Sequence, residues 1–136
     1  MRKFNYVILL AICCSIFYSC NSGGNKTIPS NFEKPDIIWQ DSIIDLGSIK
    51  TDTVYNFSFK FKNGNKERLI FKKIETSCGC TDVKVSDTLF TENKIVELIG
   101  SLNTSGMNGK VEKYIYVLSN AVKPFIILKI EANARI

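Results

Sequence analysis

Between Val54 and Lys62 apolar and polar residues alternate one for one. Tyr55, Phe57, Phe59 and Phe61 fall on one side of that alternation, and Asn56, Ser58, Lys60 and Lys62 on the other. Successive side chains of a strand point to opposite faces, so the segment is predicted as a strand with an aromatic face in a core and a polar face in water. The clean alternation favours core over an exposed aromatic binding stripe for these four rings. Asn63-Gly64 follows and predicts a turn, because both residues tolerate positive φ.

The rest of the chain after Asp36 keeps the same two-residue period and shows no long amphipathic helix. Ile37–Trp39 and the run from Ile43 to Gly47 read as short edge segments. Leu69 to Glu75, Lys94 to Leu102, Lys110 to Leu118 and Phe125 to Ile136 read as further strands. In the Lys110 run, Val111, Lys113, Ile115 and Val117 oppose Tyr114, Tyr116 and Leu118. In the last run, Leu128, Ile130, Ala132, Ala134 and Ile136 share a face. About seven strands within roughly 100 residues, separated by turn residues, predict an all-β sandwich, with a small barrel as the structural alternative.

The N-terminus follows a different pattern. Arg2 and Lys3 precede a mostly apolar run from Tyr6 to Tyr18, too short to span a bilayer as a helix but right for the core of a signal peptide. Ser19-Cys20 follows and resembles a bacterial lipobox, which would make Cys20 the lipidated first residue. An ordinary secretory signal or a short uncleaved anchor shares much of this pattern, and each takes the body of the chain out of the cytoplasm. Residues 20–35 contain Gly23, Gly24, Pro29 and Pro35 with little to bury, the composition of a flexible tether. The expected organisation is a lipoprotein signal peptide at 1–19, a tether at 20–35 and a folded domain at 36–136. The segment after Cys20 carries no acidic cluster, which favours a periplasm-facing position.

Charge and composition narrow the chemistry. The chain carries 18 Lys and Arg, 13 Asp and Glu and no His, for a net charge of +5. Losing residues 1–19 would remove Arg2 and Lys3 and no acid, leaving +3. An envelope location removes nucleic acid as a partner for this mild excess, and strand lysines keep sheet edges from sticking. The absence of His excludes Ser-His-Asp and Cys-His triads, His-bearing zinc sites and a histidine pH switch. Asp45, Asp52, Asp82 and Asp87 lie in turns with no paired spacing for acid–base work, and no glycine-rich phosphate loop is present. No cofactor is expected.

Cys13 and Cys14 belong to the leader, so only Cys78 and Cys80 remain for the folded body, in Thr76-Ser77-Cys78-Gly79-Cys80-Thr81. Three readings are open. An oxidising compartment favours a Cys78–Cys80 disulfide, with Gly79 supplying the backbone freedom that so small a ring demands. Such a ring closes almost no chain, and strain would make it readily reduced, which is a redox property. Two thiolates also suit Cu(I), whereas a closed zinc site needs more ligands than this chain offers. The plainest reading is a structural corner built from two small, buried side chains. Lys72, Lys73 and Lys84 are the nearest cations in sequence.

Five pieces stand in order: Asp45-Leu46-Gly47-Ser48-Ile49, Phe57 to Gly64, Ser77 to Thr81, Asn103-Thr104-Ser105-Gly106 with Gly109, and Val117-Leu118-Ser119-Asn120. Together they resemble a family of immunoglobulin-like domains of unknown function marked by a Cys-Gly-Cys-Thr motif, family 1573, common in envelope lipoproteins. The resemblance covers about Asp36 to Ile136 and implies an immunoglobulin-like sandwich; it implies no settled activity. The expected function is a lipid-anchored, non-enzymatic protein-interaction or structural module of the cell envelope. It would meet the membrane through lipid on Cys20 and a protein partner through loops, sheet edges or the outward tyrosines Tyr114 and Tyr116. The alternative is a thiol redox or Cu(I)-handling protein acting through Cys78 and Cys80.

Overall fold

The computed structural model describes residues 33–87 and 90–136. The expected signal peptide, Cys20 and the tether up to Phe32 lie outside the described residues. Eight strands follow one another: β1 (Ile37–Trp39), β2 (Ile43–Lys50), β3 (Val54–Asn63), β4 (Phe71–Thr76), β5 (Thr81–Val85), β6 (Ile95–Asn103), β7 (Gly109–Ser119) and β8 (Phe125–Arg135). They form two four-stranded sheets, ordered β1-β3-β6-β5 and β2-β8-β7-β4. Among these eight strands only β2 and β8 pair in parallel. This is the strand order of an immunoglobulin-type sandwich whose first strand is split and pairs with both sheets.

The count exceeds the expected seven because Thr81–Val85 is a strand in its own right. Its alternation is visible in the sequence, with Thr81, Val83 and Val85 inward and Asp82 and Lys84 exposed. It is short, and it follows directly on the cysteine motif.

The aromatic alternation of β3 packs as its period requires. Phe57, Phe59 and Phe61 are buried, and Tyr55 packs at their margin. They meet Leu98 and Leu102 of β6, Ile115 and Val117 of β7, and Leu128 and Ile130 of β8 in a single core. Burying a side chain of this size contributes about 1.5–3 kcal/mol. β8 buries Leu128, Ile130, Ala132 and Ala134 as expected. Ile136 departs from that face and is fully exposed, because β8 ends at Arg135 and its pairing with β7 ends at Ala134.

Asn63-Gly64 also departs from expectation. Neither residue has positive φ; that conformation falls at Asp52, Asn93, Gly47, Gly106 and Gly109. Asn63 is instead the buried last residue of β3, 1% exposed. Its amide nitrogen lies 2.7 Å from the Glu67 carbonyl oxygen and 3.2 Å from that of Phe90, donating to both. The chain leaves β3 to cross to the other sheet, so a tight hairpin turn has no place here.

Two more polar side chains fasten crossings of this kind. Thr104, fully buried, lies 2.9 Å from the Lys50 carbonyl and 2.8 Å from that of Thr53, and accepts from the Thr53 N–H at 3.0 Å. Asn120 accepts from the Ile70 N–H and donates to the Arg68 carbonyl, each at 2.8 Å. In β2, Gly47 at φ +67° makes a bulge, and the Asp45 carboxylate accepts its N–H at 2.8 Å.

Candidate functional site

β4 belongs to one sheet and β5 to the other, so Ser77–Cys80 is a corner between sheets. Cys78 and Cys80 are disulfide-bonded across it, with Cα atoms 5.2 Å apart. Each side of the corner is tied to its own sheet by backbone hydrogen bonds. Ser77 N–H donates to the Tyr114 carbonyl at 2.9 Å, and Asn103 N–H to the Cys80 carbonyl at 2.8 Å. The Thr76 hydroxyl donates to the Cys78 carbonyl at 2.9 Å, and Ser77 Oγ accepts the Tyr114 N–H at 3.0 Å. The buried Thr81 hydroxyl lies 3.5 Å from Cys78 Sγ and 3.9 Å from Cys80 Sγ. Paired with each other, the two sulfurs present no thiolate to Cu(I).

Gly79 corrects an expectation. Its φ is not positive, and a Cβ added there would meet nothing within 4 Å. The small ring therefore closes with a backbone that other residues can adopt.

From this corner the two edge strands run side by side along one flank of the sandwich. Among the described residues β4 pairs only with β7, and β5 only with β6. Two hollows lie between them and share Ile74. One, of about 520 Å³, adjoins the corner at Thr76, Thr81 and Val83. The other, of about 480 Å³, runs from Ile74 to Arg68 and is walled by Val85 and Phe90. Aromatic rings lie beneath the second: Phe71 and Phe90 have centroids 5.2 Å apart, and Phe61 lies 5.2 and 5.7 Å from them. Arg68, Lys72 and Lys73 stand at its rim. Lys73 pairs with Glu75 at 2.7 Å, and Asp87 is paired with Lys94. Sequence reading missed this site, because the strand Thr81–Val85 and the assignment of β4 and β5 to opposite sheets were both needed to see it.

The outward tyrosines lie on the exposed face of the second sheet and are half-buried. Tyr116 stacks on Phe125 with centroids 6.2 Å apart, and Lys129 Nζ sits 5.9 Å from the Tyr114 ring centroid. Beside them Glu112 accepts from Lys110 at 2.8 Å and Lys129 at 3.0 Å. Those two ammonium groups, Lys110 first, pull the Glu112 pKa from 4.5 to about 2. Glu131 and then Glu112 push the Lys129 pKa upward.

The four aspartates read as turn residues serve local structure, Asp45 and Asp82 from within β2 and β5. Asp45 holds Gly47, Asp52 accepts from the Ser105 hydroxyl at 3.1 Å, Asp82 accepts from the Val83 N–H at 3.0 Å, and Asp87 binds Lys94. Among the described residues no three His, Cys, Asp or Glu side chains gather as a metal-binding group.

Sheet order and corner together define an immunoglobulin-type sandwich with a disulfide at one sheet-to-sheet crossing. Residues 37–134 match the family model described as "Protein of unknown function (DUF1573)", and the chain belongs to that family. No functionally curated protein matches the sequence. Among solved structures, a protein of unknown function from Porphyromonas gingivalis W83 aligns at TM-score 0.64 with 12% identity, over 73% of this chain and 46% of that one. The Vibrio cholerae VesB protease aligns at TM-score 0.59 with 9% identity, over 72% of this chain and 32% of the protease. The secreted serine protease VesC of the same organism aligns at TM-score 0.55 with 10% identity, over 73% and 23%. The chain thus spans less than half of each of these proteins, and at such identity the likeness is one of fold.

Proposed function

We propose that this protein is a non-enzymatic interaction module of the bacterial cell envelope, held to a membrane by lipid on Cys20 and facing the periplasm. The leader pattern and Ser19-Cys20 support the anchor and the compartment. The observation that carries the interaction reading is the flank where, among the described residues, both sheets end in an edge strand, β4 and β5, over half-exposed apolar side chains. Sheets with free edges add strands from other chains, and natural proteins usually blunt such edges when nothing is to bind. On the opposite flank β1 is three residues long and the eight-residue β2 is broken by the Gly47 bulge, whereas β4 is shifted only near its start, between Phe71 and Lys73.

The test is chemical crosslinking in intact cells followed by identification of what co-purifies. A specific protein recovered in the membrane fraction, and release of the protein from that fraction by Cys20→Ala, are the expected results. No specific partner under several growth conditions, or an unchanged distribution of the Cys20 variant, contradicts the reading.

A further inference from the structure

The hollow between Ile74 and Arg68 has an unusual lining. Every residue from Arg68 to Ile74 contributes to it, without the alternation that one face of a strand would give. Phe71 to Ile74 belong to β4 and Arg68 to Ile70 lead into it, so the hollow lies along the edge of that strand. Among the described residues β4 has a partner on one side only, β7. The register slips between Phe71 and Lys73, and β4 then pairs regularly from Lys73 to Thr76, so its regular edge begins at the hollow and runs on towards the cysteine corner.

Charge identifies the occupant. Arg68 and Lys72 have no ion-pair partner among the described residues, while Lys73 is shared with Glu75. Asp87, the one acidic residue lining this hollow, is already engaged by Lys94. The mouth is therefore basic, above a floor of Phe71, Ile74, Val85 and Phe90.

We propose that this hollow binds an extended, acidic segment of a partner protein, which adds to β4 as a strand. Its main chain pairs with the β4 edge, alternate aliphatic side chains settle on the apolar floor, and its carboxylates meet Arg68 and Lys72. The proposal rests on the interaction-module reading and specifies where and with what chemistry the partner docks.

The experiment selects binders from a displayed library of random ten-residue peptides, using the full-length protein purified in detergent. Enrichment of peptides alternating aliphatic with Asp or Glu is expected. Their binding should weaken at least about tenfold in Arg68→Glu/Lys72→Glu, as reversal of two rim charges implies. Both substitutions leave the backbone bond from Asn120 to the Arg68 carbonyl in place. A circular dichroism spectrum matching the parent establishes that the variant is folded, and amide exchange in β4 should slow when peptide is bound. No enrichment, enrichment of peptides without acids, binding indifferent to the two charge reversals, or protection that maps to another strand overturns the proposal. Dimerisation of the protein through β4 in place of peptide binding overturns it as well. A partner crosslinked in cells through another face would leave the interaction-module reading standing and remove only this site.

Discussion

A Cβ on Gly100 would lie 2.3 Å from Cζ of Phe57, so the Phe57 ring occupies the space that any side chain at Gly100 would need. The two residues are direct partners across β3 and β6. Behind them the Asp82 carbonyl closes the gap at 2.6 Å from the same Cβ. A ring in a packed interior has little room to retreat. Gly100→Ala is therefore expected to lower stability by about 1–3 kcal/mol, the usual cost of overpacking. Urea unfolding followed by tryptophan fluorescence measures it, and an unchanged midpoint contradicts the packing described.

Asn63 is a second point of leverage. Its side chain holds the Glu67 and Phe90 carbonyls from a buried position. Asn63→Ala leaves those carbonyls unpaired and should cost about 1–3 kcal/mol. Asn63→Asp should cost more, since it sets an acceptor against two acceptors. Comparing the two variants by urea midpoint checks this; equal or negligible losses count against the clasp.

Asn63, Thr104 and Asn120 belong to three of the sequence pieces that carried the family resemblance, and each turns out to fasten a crossing between strands. The Asp45–Gly47 piece is a bulge and the Cys-Gly-Cys piece a corner. The strands themselves were legible wherever the alternation was long, as in Phe57, Phe59 and Phe61, because a period of two leaves one solution for which face is buried. Which sheet each strand joins was not legible. The parallel pairing of Ile44 with Ile130 and the separation of β4 from β5 are long-range choices that no local window contains. The cleft depends on that separation, so in the sequence Lys72 stood only among the cations nearest the cysteines, and Arg68 carried no reading at all.

Glu112 provides a pH signature. Its pKa falls from 4.5 to about 2 through Lys110 and Lys129. A carboxyl depressed in the folded state stabilises the fold fully above its unfolded pKa, and that contribution disappears as pH falls through the folded value. The advantage of the parent over Glu112→Gln should therefore hold at neutral pH and vanish between pH 4.5 and about 2. Solvent and salt screen this surface cluster, so the difference should also shrink with added salt. Urea midpoints of both proteins across that range test it; a difference independent of pH contradicts the assignment.

The disulfide ring spans only Cys78 to Cys80, while backbone bonds at Ser77 and Cys80 already tie the corner to both sheets. Loop-closure arithmetic gives so short a ring about 1–2 kcal/mol. Reduction, or Cys78→Ala with Cys80→Ala, should lower stability by no more than that and leave the fold intact. Gly79→Ala should keep the disulfide, since space and φ both permit the methyl group. Unfolding on reduction at neutral pH, or a free-thiol signal in Gly79→Ala, goes against this account of the corner.

The β4–β5 flank as the face that meets a partner is tested most directly by placing a photocrosslinking amino acid at Lys72, and separately at Asn56 on the outer face of the other sheet, in living cells. One discrete adduct from the Lys72 position, none from Asn56, and loss of the first when Arg68 is changed to Glu is the predicted result. Equal adducts from both positions, an adduct from Asn56 alone, or none from either contradicts it.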